Sequence, residues 1–243
     1  MKLNTVSRSM ASNHAAASRL LHNLHPLQRA ARRALWGASL WLISLSAAQA
    51  ATVQITVTGR EGQPLPDAVV TLEPVNGPRP AAPAPVQAVI GQQKMQFLPA
   101  VSLLPVGSRV RFSNLDSWDH HVRAAPAGLS APTSYNFELR LDGRVEGKEP
   151  SSKEVTLDKI GVLQLGCHLH GSMRGHIVVT DTPWAAKTGS DGIARLGDVP
   201  EGLMRVRVWH PDQLVEAAPV ELTVNPVTQM ALPTAVVPRR RRL

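Results

Sequence analysis

A single cysteine stands in the 243 residues of this chain. One thiol cannot close an internal disulfide, and without paired cysteines neither a cysteine-rich zinc cage nor a C-x-x-C-H haem attachment can be built. Long apolar runs are missing as well. The best candidate, residues 34–47, falls well short of the ~20 residues that cross a bilayer as a helix. Beyond residue 50, no segment repeats its apolar positions at the 3.6-residue period of a helix, so the expectation is an all-β protein. No nucleophile with a matched base, motif of paired carboxylates or phosphate-binding glycine loop is visible, and an enzyme is not expected.

Acidic residues are absent from residues 1–33, which carry Lys2, Arg8, Arg19, Arg29, Arg32 and Arg33. The apolar run follows, and then Ala48-Gln49-Ala50, the small-residue pattern of a signal cleavage site. Residues 1–50 read as an export signal, which implies a periplasmic protein with no stable membrane insertion after cleavage. Without that leader the chain keeps 20 Lys and Arg against 18 Asp and Glu, a net +2. Four of those cations are Arg239 to Arg242, the core of a basic tail over 236–243. The folded body is close to neutral, and a nucleic-acid partner, which needs a basic face on the domain itself, is not expected.

Against these absences stands one dense stretch, Gly166-Cys167-His168-Leu169-His170-Gly171-Ser172-Met173. An exposed thiol would be a liability in an oxidising compartment, so Cys167 is either buried and inert or bound to something. Its neighbours favour the second. Of nine histidines three (His14, His22, His25) precede residue 51, and five of the other six are His120, His121, His168, His170 and His176. Read as C-x-x-H-x-x-M, the stretch offers a thiolate, an imidazole and a thioether, soft donors that prefer copper. A second imidazole would come from His120 or His121, after the segment Phe112-Ser113-Asn114. Two imidazoles and a thiolate with a weak axial thioether suit both copper oxidation states. Zinc accepts the same donors but usually brings paired cysteines. Met173 as ordinary core is the plain alternative.

Alternation of apolar and polar residues predicts short strands. They fall at 52–58, 68–72, 86–89, 92–97, from 110 toward Asn114, near 135–141, at 162–167, 175–180, 185–188, 193–196, 204–209, 220–224 and 227–232. Residues 77–85, with four prolines, read as a stiff extended linker, because proline withholds the amide a ladder needs. Residues 123–158 show little periodicity. His176 reads as a solvated strand residue, His210 as a surface turn residue, and Trp118 as a cover over the rim of the site.

Phe112, Asn114, His120 and Val122, with Cys167, His170 and Met173, resemble the cupredoxin family, in particular its plastocyanin- and amicyanin-like members. The loop and the later Val208-Trp209-His210-Pro211 also resemble a periplasmic group described as plastocyanin-like or methylamine-utilisation proteins. The resemblance covers about residues 87–181. It implies a Greek-key β-sandwich holding one type 1 copper, with His120, Cys167 and His170 as equatorial ligands and Met173 as the axial one. It also implies one-electron transport between donor and acceptor proteins. His121 and His168 stand where relatives carry other residues and compete for the imidazole roles. Family spacing favours His120, and strand alternation favours His170 over His168. The flanks, 51–76 and 182–235, resemble the two halves of a carboxypeptidase regulatory-like sandwich, with 77–86 as linker and the copper module inserted in one of its loops. Two rival functions follow from the same residues. One is a non-redox copper-binding or delivery protein using His121 and His168; the other is a structural β-sandwich with a zinc or vestigial metal site.

Overall fold

The computed structural model describes residues 50–128 and 136–239. The expected export leader before residue 50 and most of the arginine tail lie outside the described residues. Those described contain strands and no helix, so the protein is all-β. None of them forms a helix long and apolar enough to cross a membrane.

The chain opens with β1 (Ala50–Thr58) and β2 (Val69–Pro74), and continues with β3 (Gln87–Gln93), β4 (Gln96–Leu98), β5 (Val101–Pro105) and β6 (Arg109–Asn114). Then come β7 (His120–Ala127), β8 (Phe137–Leu141), β9 (Ser152–Thr156), β10 (Gly161–Cys167) and β11 (Arg174–Thr180). The last group is β12 (Ala185–Lys187), β13 (Ile193–Pro200), β14 (Gly202–Trp209), β15 (Val220–Val224) and β16 (Val227–Pro233).

These strands make four sheets. The middle of the chain supplies two, ordered β5-β11-β10-β7-β8 and β4-β3-β6-β9. Their inner faces bury one cluster that includes Ile90, Phe97, Phe112, Val122, Leu163, Leu165, Cys167, Met173 and Ile177. The two ends supply the others, β13-β1-β16 and β12-β2-β14-β15. These enclose a second cluster around Ile55, Val57, Val70, Leu72, Leu196, Met204 and Val206. β1 shows the physics plainly: Ala51, Val53, Ile55 and Val57 are all fully buried, while the residues between them face the other way. At roughly 1.5–3 kcal/mol for each large side chain fully buried, such alternate rows supply most of the drive to form sheets.

A smaller cluster joins the two halves: Val69, Val101 and Val178 pack with Leu103, Val162 and Trp209. Lys187 adds a bond from its Nζ to the Val101 carbonyl at 3.1 Å and an ion pair with Asp67 at 2.9 Å. The proline-rich segment forms no strand. It is tied down by the Val86 amide on Ser108 Oγ at 3.0 Å, and by an exposed Arg79–Asp181 ion pair at 3.2 Å.

Several differences from the sequence reading concern the middle sheets, beginning with β5 (Val101–Pro105) and β7 (His120–Ala127), which it did not list as strands. The expected strand over 92–97 is broken by a tight turn at Lys94 and Met95, whose φ values are +52° and +58°. The stretch 123–158 holds a whole edge strand, β9, paired antiparallel with β6. Its five side chains are exposed or at most half-buried, so it has no apolar row for a pattern to show.

Candidate metal centre

Register decides which histidines meet the cysteine. Cys167 ends β10 and pairs with Val122 of β7. Because side chains alternate along a strand, His120 and Val122 share the inner face with Cys167, while His121 and His168 take the outer one. His120 is 1% exposed and Cys167 6%. His120 Nδ1 lies 3.6 Å from the Cys167 sulfur. The turn after β10, closed by the Met173 amide donating to the His170 carbonyl at 3.0 Å, carries His170 back over the rim. His170 Nδ1 is 3.6 Å from the same sulfur and 3.2 Å from His120 Nδ1. Met173, directly before β11, lies in the same buried cluster as Cys167 and is 2% exposed.

Three donor atoms thus form a triangle with edges of 3.2, 3.6 and 3.6 Å. Such edges are the separations of atoms that share one ion at bonding lengths of ~2.0–2.3 Å. A thiolate with two imidazoles is the donor set of a copper site, so the residues fit that metal.

The surroundings prepare the donors. His120 Nε2 lies 3.0 Å from Asp116 Oδ2. A carboxylate there accepts a hydrogen bond from Nε2–H, which keeps the proton on Nε2 and leaves Nδ1 with a lone pair facing the sulfur. Asp116, 6% exposed, also accepts the Lys94 amide at 2.6 Å and the Met95 amide at 3.1 Å. Burial would raise its pKa, but the His120 hydrogen bond and the two amides outweigh that and hold Asp116 below the usual carboxylate value. Lys94 and Met95 occupy left-handed backbone, which costs energy in residues other than glycine. Their amides on Asp116 compensate, so the turn, the carboxylate and the imidazole form one chain of support. Sequence reasoning missed Asp116. The only signal was an acid four residues before a histidine.

Asn114 fastens the loop between β6 and β7. Its Nδ2 donates to the Trp118 carbonyl at 2.8 Å and the Asp142 carbonyl at 3.0 Å. Its Oδ1 accepts the Asp116 amide at 3.0 Å. Asp119 accepts the Gly143 amide at 2.7 Å, and a Cβ at Gly143 would collide with the Ser117 carbonyl. On the sulfur side, the His121 amide points at Cys167 Sγ from 3.4 Å, a donor that favours thiolate over thiol.

The alternative imidazoles lie elsewhere. His121 Nε2 is 3.1 Å from Glu138 Oε2, and His168 Nε2 is 3.2 Å from Glu138 Oε1. The His168 hydrogen bond does most to hold Glu138 below the usual carboxylate range. Two other histidines correct the sequence reading. His176 is half-buried with its ring 5.2 Å from that of Trp209, and burial drives its pKa from 6.5 down to about 4. His210 is 4% exposed, with Nε2 3.2 Å from the Pro66 carbonyl. Trp209 of an end sheet lies against His176 of a middle one, while His210 is held by the segment between β1 and β2, and no local pattern announces either. Trp118 is 41% exposed.

No protein-family model matches the sequence, and no curated protein is significantly similar to it. Solved structures are similar to part of it. Amicyanin from Paracoccus versutus is 22% identical and covers 38% of this chain and 80% of its own, with a TM-score of 0.31. A purple cupredoxin from Nitrosopumilus maritimus is 20% identical over 39% of this chain and 99% of its own, with a TM-score of 0.31. A copper-containing nitrite reductase from Thermus scotoductus is 24% identical over 45% of this chain and 25% of its own, with a TM-score of 0.32. These are likenesses of fold to cupredoxins over less than half of the chain, whereas the convergence of Cys167 with His120 and His170 is a property of its own side chains.

Proposed function

We propose that this chain is an exported, periplasmic carrier of single electrons built on one type 1 copper. His120, Cys167 and His170 are its equatorial ligands, Met173 its axial one. One observation carries the reading: the triangle of His120 Nδ1, His170 Nδ1 and Cys167 Sγ at 3.2 to 3.6 Å, two of whose corners are buried. Copper bound there supplies a one-electron couple.

The protein's part is to hold the donors still and dry. Ladder bonds fix Cys167 and His120 on neighbouring strands, Asp116 fixes the tautomer of His120, and the His121 amide steadies the thiolate. A site that is already arranged needs little movement when its charge changes, which favours fast transfer. His170 is half-buried at the rim beside Leu169, 58% exposed, and this edge is where donor and acceptor proteins would approach. In this reading residues 87–181 are the copper module, and 51–76 with 182–235 form a scaffold sandwich around its insertion point. No turnover of substrate is assigned to it.

The test is the visible spectrum of the copper-loaded protein. An intense thiolate-to-copper absorption that bleaches on reduction, returns on reoxidation and disappears in Cys167→Ser is the expected result. A colourless copper complex, or a band that survives Cys167→Ser, would sink the proposal.

A further inference from the structure

The outer face of the same strands holds a second convergence of metal-binding side chains, used by nothing described so far. His121 and His168 are the chain neighbours of His120 and Cys167, and alternation turns both outward. The His168 amide donates to the His121 carbonyl at 3.0 Å, which extends the β7–β10 ladder and fixes their spacing. Their rings lie 4.7 Å apart, tilted by 46°. Glu138 comes from β8, where it pairs with Arg123 two residues along from His121. Its carboxylate bridges the two rings, one oxygen to each Nε2, at 3.1 and 3.2 Å. All three donor atoms lie within 4.8 Å of one another. The side chains are accessible, at 19% for His121, 41% for His168 and 54% for Glu138.

The chemistry of this set is selective. Arg123 and Arg140, the register partners of Glu138 and His121, share the outer face, so the patch does not attract cations by bulk negative charge. Calcium and magnesium want several oxygen donors, and only one carboxylate is present. Two imidazoles with a carboxylate suit borderline divalent ions such as Zn(II) and Cu(II), and three protein donors leave coordination positions open to solvent. Small rotations of exposed side chains suffice to close the set, because the backbone beneath two of them is locked in a sheet.

We propose that His121, Glu138 and His168 form a second, solvent-facing site for a borderline divalent transition-metal ion. It is separate from the Cys167 centre and does not need that centre to hold copper. The competing account is a charge-assisted His–Glu–His bridge that binds no metal.

The experiment is equilibrium dialysis of the full chain against Zn(II) near neutral pH, with bound metal quantified. It is run on the parent, on Cys167→Ser, and on Cys167→Ser with His121→Asn and His168→Asn added. The inner thiolate is gone from both variants, so the comparison reads the outer site. Cys167→Ser should retain one Zn(II) that the added pair weakens by more than ~10–100-fold, the loss that changing even an outer partner of a metal site brings. Glu138→Gln in the Cys167→Ser chain supplies the same reading should the triple variant not fold. Cu(II) in Cys167→Ser should give a paramagnetic resonance spectrum with coupling to two imidazole nitrogens, lost with the pair. If Cys167→Ser binds no Zn(II), or if neither the His pair nor Glu138→Gln weakens binding, the outer site does not exist. Failure of the electron-carrier reading would look different: the visible band would be missing from the parent while outer Zn(II) binding stayed.

Discussion

Replacing Asp116 by asparagine removes one charge and almost no volume, yet it should reach both the fold and the metal. The carboxylate receives three donors: the amides of Lys94 and Met95 and the Nε2 proton of His120, at 2.6, 3.1 and 3.0 Å. Asparagine offers one acceptor oxygen and turns a donating NH2 toward the rest. With its oxygen at the Oδ2 position it keeps Met95 and His120 and strands the Lys94 amide; turned the other way it strands Met95 and His120, unless His120 changes tautomer to accept from the new amide. That tautomer carries its proton on Nδ1, where it blocks the lone pair facing Cys167. At ~1–3 kcal/mol for each buried donor left unsatisfied, the metal-free variant should lose about 1–5 kcal/mol. For a folded body of this size that lowers Tm by roughly 3–15 °C. Copper affinity should fall by about 10–100-fold. Scanning calorimetry of the metal-free protein and competitive copper titration read the two effects separately. A variant that melts within ~1 °C of the parent and binds copper equally well would refute the linked support of turn, carboxylate and imidazole.

His176 gives a pH test with a definite sign. Its folded pKa, about 4, is below its usual 6.5, so between those values the unfolded chain binds more protons and acid favours unfolding. Stability should be level above pH 6.5 and fall by at most about 3 kcal/mol on the way to pH 4, read as urea midpoints; His176→Phe should flatten this part of the profile, and an unchanged slope would refute it. Asp116, with its pKa lowered from 3.8, contributes stability above that value and loses it only at still lower pH, so the two windows are separable. Gln92 is fully buried, and neither its side-chain oxygen nor its nitrogen finds a partner within the protein. Gln92→Met, close in volume, should raise stability by about 1–2 kcal/mol in urea unfolding; a loss would show that the amide is satisfied in solution. Gly143→Ala drives a Cβ into the Ser117 carbonyl and should loosen the loop before His120, seen as faster amide exchange over residues 114–120; unchanged exchange would count against that packing.

Much of the centre could be read from local order alone. The spacing C-x-x-H-x-x-M puts Cys167 at a strand end and His170 and Met173 in the turn and strand start that follow. Alternation alone separates His168 from His170, and most strands with one buried face were visible as apolar rows. β9 was not, because an edge strand that half-buries only Val155 leaves no row. The turn at Lys94 and Met95 was not, because it lacks the glycine or asparagine that usually marks left-handed backbone.

By itself, then, the sequence determined that the protein is built of strands, and it marked the Cys167 loop and a distant histidine as one candidate set. Tertiary structure alone decided that His120 rather than His121 turns inward, since one step of register between β7 and β10 exchanges the two faces. It also decided that Asp116 reaches His120, that Glu138 bridges the outward pair, that His176 is half-buried and that His210 is almost wholly covered. Apart from the contact between Asp116 and His120, four residues apart, each of these depends on segments far apart in the chain meeting at a set register and packing distance, which composition and spacing within any one segment cannot encode.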